Sequence, residues 1–270
     1  MIEGNPMNRR HGASGGCKVR GDIIDCYRHD GFVYVPGALS PGETLEFRGE
    51  AEAVLGCEEK LIRGLSGSTV MECIAEVQIK SASMKRLAVH PVITRIAEQL
   101  AGVPLRLFKQ ELLRKQSGSL PTGAHTDEAA FPIGKSAVTL SAWVALVDVP
   151  MEGGCLSFVQ GSHLLPSTPF REYRVADDPL ERWPDSKWLP LVTVPMRAGD
   201  CTFHHARTIH MAEGNYSELV RVSTVTVYMD ASAVYRPTGD LALDGPLEVE
   251  DLVSGMPLDG SRFPLVAEQS

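Results

Sequence analysis

The sequence predicts a mainly β protein, a jelly roll or barrel with flanking helices. After residue 103 the chain carries short apolar runs rich in β-branched and aromatic residues, separated by Gly and Pro and with no helical pattern between them. Clear helix signals lie before residue 103. With 270 residues and 43% hydrophobic content, the chain is long enough for one domain with a sizeable core.

The N-terminal region begins with a stretch that has no apolar period. Residues 1–18 are rich in Gly, Asn, Ser and Arg, which predicts a flexible N-terminal tail. We expect residues 19–270 to form a single jelly-roll domain. Its first elements are a short helix around Asp22 to Arg28 and a strand over the apolar run Phe32 to Val35.

Two longer helices are predicted next. Ser40, followed by Pro and then by Glu43, is a capping-box signature, and the helix continues to about Leu55. The second helix begins near Pro91 and ends by Gly102, with an apolar stripe along one face. Both helices are expected to flank the sheets.

The remainder of the chain predicts short antiparallel strands. The segment Met151 to Gly154 has the composition of a turn that joins two of them. The predicted strands are Leu105 to Leu113, Ala137 to Val149, Leu156 to Val159, Leu191 to Val194, Cys201 to His204 and Val220 to Met229. Residues 164–189 interrupt this series, because they are too polar and irregular for a strand. Loops of this length are usually functional or disordered, so we interpret the segment as a lid or rim.

The bulk composition narrows the function classes. A formal net charge of −8 argues against a protein that binds the phosphate backbone, so no nucleic-acid partner is expected. No apolar run is long enough to span a bilayer and no secretory signal is visible, which predicts a cytoplasmic protein without a membrane partner. The six cysteines lack disulfide-scaffold density and CxxC spacing, so we expect reduced thiols.

His125 and Asp127 are the first candidates for chemistry. In extended chain, residues two apart project to the same face, so both side chains can reach one metal ion. His210 is the best candidate for a third ligand, and two His with one carboxylate suit iron(II). An isolated His-x-Asp triplet is a weak signal that also fits ordinary hydrogen bonding in a loop. His204 and His205 are rival ligands for the third position.

These residues belong to a larger pattern. Its pieces are His125-Thr126-Asp127, Trp143-Val144-Ala145-Leu146, the run from Gly153 to His163, and Gly199-Asp200 leading to His210, Asn215 and Arg221. With these pieces in this order, the chain resembles the phytanoyl-CoA dioxygenase (PhyH) family of Fe(II)/2-oxoglutarate-dependent oxygenases, from about Tyr27 to about Tyr228. One departure is Gln160, where the family motif normally carries Pro, and it affects turn rigidity only.

The resemblance implies a cupin-like double-stranded β-helix core and assigns roles to the matched residues. His125, Asp127 and His210 would hold Fe(II), and 2-oxoglutarate and O2 would complete the reaction. Arg221 would grip the far carboxylate of 2-oxoglutarate, because the planar guanidinium suits a bidentate pair. Its alternative is an outward arginine on an edge strand. Trp143 would line the cosubstrate pocket, and is otherwise a core aromatic.

Other assignments are open. Gln110 and Lys115 are either cosubstrate contacts or, respectively, a polar residue at a strand end and a solvated charge. His204, His205 and Arg207 could line the substrate side. Residues 56–90, together with residues 164–189, are expected to shape the substrate pocket. His163 is expected to be a structural histidine in a turn.

The implied function is hydroxylation of an unactivated C–H bond of a small organic metabolite, with natural-product biosynthesis as one setting. The same cofactors also support desaturation, cyclisation or epimerisation. Two further classes stay open, a jelly-roll isomerase or hydrolase that uses another metal, and a non-catalytic binding protein with a vestigial triad. The sequence does not distinguish a monomer from a homodimer.

Overall fold

A computed structural model describes residues 22–64, 69–134, 138–166, 179–239 and 252–268. The predicted tail, residues 1–18, lies outside these residues, as does much of the predicted lid. The described part of the chain is mainly β, with two facing antiparallel sheets and helices on one side, as predicted. In this part, no helix is both long and apolar enough to cross a membrane.

The helices lie largely before the first long strand. At the N-terminus of helix α2 (Pro41–Cys57), Ser40 accepts a hydrogen bond from the backbone N–H of Glu43, whose carboxylate accepts one from the backbone N–H of Ser40, so the predicted capping box is confirmed. The α-helices are α1 (Asp22–Asp30), α2 (Pro41–Cys57), α3 (Val77–Lys80), α4 (Ala82–Ala88), α5 (Pro91–Ala101) and α6 (Pro179–Arg182).

The strands form a larger sheet, a smaller sheet and one pair. The strands are β1 (Phe32–Val35), β2 (Leu61–Arg63), β3 (Met71–Ile74), β4 (Leu105–Lys115), β5 (Thr122–His125), β6 (Ile133–Gly134), β7 (Thr139–Ala145), β8 (Leu156–Val159), β9 (Leu191–Val194), β10 (Cys201–His205), β11 (His210–Ala212), β12 (Arg221–Asp230) and β13 (Val234–Tyr235). Among the described residues the larger sheet has the order β1-β10-β7-β12-β4-β3-β2, the smaller sheet the order β5-β11-β8-β9, and β13 pairs with β6.

The larger sheet separates two apolar layers, which follows from the alternation of side chains along a strand. On β7, Ala142 and Val144 belong to the layer under the helices, whereas Trp143 and Ala145 belong to the layer between the sheets. The second layer also contains Phe158 of the smaller sheet. Side chains on the inner face of the larger sheet therefore point at the smaller sheet.

Several elements differ from the sequence prediction. The strand predicted over Ala137 to Val149 is shorter, Thr139–Ala145, and short strands such as β2, β3, β5 and β11 were not predicted. These four strands have three or four residues each, too few to show a clear period. Four cysteines are free thiols, as expected, but Cys26 is disulfide-bonded, so the prediction of six reduced thiols is wrong there.

A candidate metal and cosubstrate site

The smaller sheet brings His125 and His210 together. His125 is the last residue of β5 and His210 the first of β11, and the two are direct partners in the antiparallel register. Their ring centroids lie 4.1 Å apart. Asp127 begins the short 3-10 helix that follows β5, and its Oδ1 lies 3.9 Å from Nε2 of His125 and 3.6 Å from Nε2 of His210. The three predicted ligands therefore converge on one point.

Backbone carbonyls set the tautomer of both histidines. Nδ1 of His125 lies 2.8 Å from the carbonyl of Gly123, and Nδ1 of His210 lies 3.0 Å from that of Thr208. A carbonyl only accepts, so each Nδ1 carries the proton and each Nε2 presents a lone pair. Burial lowers the pKa of each imidazole to about 4, which keeps both neutral near pH 7.

Asp127 is oriented by two donors on one of its oxygens. Oδ2 accepts a hydrogen bond of 2.6 Å from Ser141 and one of 3.2 Å from Nε2 of His204. Burial by itself raises the pKa of this carboxyl, but the surrounding histidines, His210 first, hold the pKa well below its usual range. Oδ1 is left for a metal, and His204 acts on the carboxylate and does not compete with His210.

This arrangement fits a divalent iron centre. Two neutral imidazole nitrogens and one carboxylate oxygen, all from one side, form the donor set of non-haem iron(II) sites with open positions. Each of the three side chains also forms a hydrogen bond through the atom that does not face the metal position, as metal ligands usually do.

Arg221 lies at the inner end of the same cavity. Its side chain is buried, Nη1 donates a 2.6 Å hydrogen bond to the carbonyl of Gly154, and the guanidinium carbon lies 5.4 Å from the ring centroid of Trp143. Nε has no hydrogen-bond partner and, among the described residues, no carboxylate lies within ion-pair distance. Burial lowers the pKa of Arg221 to about 10. A buried cation with an unpaired donor fits an anionic guest.

Lys115 is a second buried amine at this end. It is the register partner of Arg221, and its Nζ donates to the carbonyls of Leu120 at 2.6 Å and Glu213 at 2.8 Å. Burial, together with the charge of Arg221, lowers the pKa of Lys115 to about 7. The interpretation of Lys115 as a solvated charge is therefore wrong, because its side chain is inaccessible to solvent.

Gln110 is not brought to this cavity. The residue after it, Glu111, lines the cavity, and successive side chains of a strand face opposite ways. The backbone N–H of Gln110 instead donates to the side chain of Gln78, on α3. Its assignment as a cosubstrate contact is corrected on this ground. His163 is structural as expected, since its Nε2 lies 3.0 Å from the carbonyl of Arg28.

Two residues that line the cavity and one that supports Asp127 were not predicted. Arg63 and Glu111 form an ion pair on the cavity wall, and Ser141 positions Asp127. Arg63 lies on a strand of three exposed residues, where a surface charge is the ordinary interpretation. Glu111 did offer a signal, because a carboxylate at an inward position of a long strand requires a partner.

Comparisons with known proteins agree with this geometry. The sequence profile of the phytanoyl-CoA dioxygenase (PhyH) family matches residues 27–223. The peroxisomal phytanoyl-CoA dioxygenase of Rattus norvegicus is 24% identical over 77% of this chain and 68% of its own length.

Two solved structures are more similar. The epimerase SnoN, in complex with Fe3+, alpha ketoglutarate and nogalamycin RO, is 49% identical with a TM-score of 0.84 over 90% of this chain and 97% of that chain. The non-heme alpha ketoglutarate dependent carbocyclase SnoK from nogalamycin biosynthesis is 41% identical with a TM-score of 0.84, over 94% and 99% of the two chains. The profile match over residues 27–223, together with these two similar structures, shows that the chain belongs to the phytanoyl-CoA dioxygenase (PhyH) family of 2-oxoglutarate-dependent non-haem iron enzymes.

Proposed function

We propose that this chain removes a hydrogen atom from a C–H bond of a bulky natural product related to nogalamycin and that the product is an epimer. The observation that carries the proposal is the 49% identity to the epimerase SnoN across nine tenths of the chain. The expected hydroxylation becomes an alternative outcome, because the two similar proteins of solved structure are an epimerase and a carbocyclase.

The residues that line the cavity have separate roles. His125, Asp127 and His210 hold iron(II), while Arg221 fixes the far carboxylate of 2-oxoglutarate at the inner end. Trp143, stacked near the guanidinium, closes this end with an apolar surface. The bound iron, with 2-oxoglutarate and O2, supplies the oxidising power for cleavage of the C–H bond. The protein orients the reactants and excludes water.

The outcome depends on what reaches the carbon after the hydrogen atom has left. Delivery of a hydrogen atom to the opposite face from a reductant such as ascorbate gives an epimer, whereas transfer of oxygen gives an alcohol. Epimerisation therefore consumes two reducing equivalents in each turnover, because O2 and 2-oxoglutarate are consumed while the substrate is not oxidised overall. The protein sets the choice through the position of the substrate carbon relative to the iron. Helix α6 contacts β5, the strand that ends at His125, so we assign residues 179–189, the described end of the predicted lid, to the rim of the substrate pocket.

Ring closure is the second candidate. The 41% identity to the carbocyclase SnoK over 94% of this chain favours it over hydroxylation. The two candidates differ in mass balance, because ring closure removes two hydrogen atoms from the substrate and epimerisation removes none.

The test is turnover of nogalamycin RO, the compound in the SnoN complex, with iron(II), 2-oxoglutarate, O2 and ascorbate. Mass spectrometry and NMR identify the product, and succinate release is measured beside it. An isomer of unchanged mass with an inverted stereocentre supports the proposal, while loss of two hydrogen atoms with a new ring bond in the NMR spectra identifies ring closure. Gain of one oxygen atom contradicts the proposal. So does a wild-type protein that forms no more product than the Asp127→Ala variant, which serves as the background.

A further inference from the structure

A second charged group, a cluster around Glu111, lies on the wall of the metal cavity. Nη2 of Arg63 donates to both carboxylate oxygens of Glu111, at 3.0 Å each, and Nζ of Lys109 donates to the same carboxylate at 3.0 Å. Arg63 and Glu111 line the cavity with the ligand residues. None of the steps described above uses this cluster.

The strand register directs Arg63 into the cavity. Arg63 is the last residue of β2, at the edge of the larger sheet, and pairs with Met71 of β3. Directly paired residues of antiparallel strands project to the same face. Met71 lines the cavity and belongs to the apolar layer between the sheets, so the side chain of Arg63 also points inward.

If Arg63 moves away from Glu111, the carboxylate still has an ion-pair partner. The Glu111 side chain is only 8% exposed, so a lone charge there would be costly, but Lys109 remains as its second cationic partner. Arg63 is different, because 48% of its side chain is exposed and, among the described residues, Glu111 is the one acid with which it forms an ion pair. Its guanidinium therefore has room to meet a guest while the carboxylate stays paired.

The charge of the cluster selects the guest. Two cations and one carboxylate leave one net positive charge on this wall. A cationic group of a substrate would be repelled by Arg63, the cation of the cluster that lines the cavity. An anionic oxygen would meet Arg63, whose guanidinium offers several N–H donors in one plane.

We propose that Arg63 is a specificity-determining residue that binds an acidic oxygen of the substrate, a phenolate, enolate or carboxylate, beside the metal. The inference rests on the proposed function in that the guest is the substrate. Glu111 holds Arg63 in place before the substrate arrives, and Lys109 holds Glu111 afterwards. The substrate therefore presents an acidic oxygen on the part that enters the cavity.

The test uses 4-nitrophenol as the probe, because its ionised form is seen directly by visible absorbance. Protein loaded with iron(II) and saturating 2-oxoglutarate is titrated without oxygen, so that the Arg221 end is already filled. Wild-type protein should bind the probe in its ionised form, with a lower apparent pKa than the free phenol has. Arg63→Gln should bind it at least about tenfold more weakly and lose the shift, because a hydrogen bond to a charged partner is lost.

Two variants serve as controls. Arg63→Lys keeps the charge and should retain most of the binding. Arg114→Gln removes an arginine that pairs with Glu72 on neighbouring strands of the same sheet, outside the residues that line the cavity, and should bind the probe as wild type does. Equal binding by wild type and Arg63→Gln, or no binding by wild type, would overturn the inference.

Glu111→Gln gives a result of opposite sign. Without the carboxylate, Arg63 loses its competitor and the wall gains positive charge, so affinity for the probe should rise severalfold. A fall in affinity for the probe, in a variant with wild-type circular dichroism, contradicts the model of competition.

Affinity for 2-oxoglutarate, measured from its chelate absorbance, should be unchanged in Arg63→Gln. A loss of that affinity with intact probe binding would reassign Arg63 to the cosubstrate. Turnover of nogalamycin RO is scored separately, so failure of the proposed function is distinguishable.

Discussion

His204 forms a hydrogen bond to one carboxylate oxygen of Asp127, and the other oxygen faces the two histidine ligands. Nε2 of His204 lies 3.2 Å from Oδ2 of Asp127, and Oδ1 faces His125 and His210. Because a carboxylate that is fixed in this way presents one defined lone pair, His204 contributes to metal affinity without being a ligand.

We therefore predict that His204→Phe weakens iron(II) binding about 10- to 100-fold, in the range known for outer-shell partners of metal ligands. The measurement is an anaerobic iron(II) titration. His205→Phe is the control, because His205 makes no hydrogen bond to Asp127 and its ring lies 5.6 Å from that of His163. If the His204 variant and wild type bind iron(II) with equal affinity, His204 does not support the metal site.

Arg221→Lys should weaken 2-oxoglutarate binding by at least about tenfold, although the charge is kept. Lysine cannot reproduce the planar pair of donors, and its shorter reach loses the contact with the carbonyl of Gly154. The chelate absorbance reports the affinity at fixed iron(II). Arg114→Lys is a matched change outside the cavity, and if both variants bind alike the role of Arg221 is wrong.

Gly154→Ala tests whether the backbone at Gly154 positions the guanidinium of Arg221. Gly154 has φ +79°, and an added Cβ would lie 3.0 Å from the carbonyl oxygen of Glu213 and 3.6 Å from Nη1 of Arg221. Gly118 has φ +76° and open space around its Cβ position. Both Ala variants should lose about 1–2 kcal/mol of unfolding free energy from the backbone conformation, but only Gly154→Ala should also lose 2-oxoglutarate affinity. Denaturation curves and chelate titrations separate the two effects.

Lys115 predicts a pH dependence of cosubstrate binding. Its pKa of about 7 means that the free protein is partly deprotonated there, with the neutral amine donating to two carbonyls. An anion bound at Arg221 favours the charged form, so it raises this pKa. Binding of 2-oxoglutarate should then take up a proton near pH 8, and affinity should fall as pH rises above about 7. Calorimetry in two buffers of different ionisation enthalpy measures the uptake, which Lys115→Met should abolish.

Much of the fold and the metal site was predictable from the sequence. The long strands and capped helices carry strong local signals, and β8 and β9 have the predicted bounds, Leu156–Val159 and Leu191–Val194. His125 and Asp127 are close in sequence, so an extended segment alone places them together. His210 could be selected only through the family pattern, because its pairing with His125 is a long-range contact of the smaller sheet.

The remaining features depend on contacts that a single strand does not reveal. Lys115 is buried because the register of β4 and β12 sets it opposite Arg221, and nothing local distinguishes it from a surface lysine. Gln110 and Glu111 are adjacent, and the choice of which one faces the cavity is the choice of strand phase. Arg63 reaches the cavity from an edge strand of three residues, too short to be predicted.

The central claim is that His125, Asp127 and His210 hold iron(II) with 2-oxoglutarate chelated beside them. Its most direct test is an anaerobic titration of metal-free protein with iron(II) and 2-oxoglutarate, followed by the visible charge-transfer band of the chelate. We predict a saturable band in wild type that is lost in Asp127→Ala and retained in Glu128→Ala, the adjacent carboxylate outside the triad. No band in wild type at any concentration, or an unchanged band in Asp127→Ala, would contradict the account.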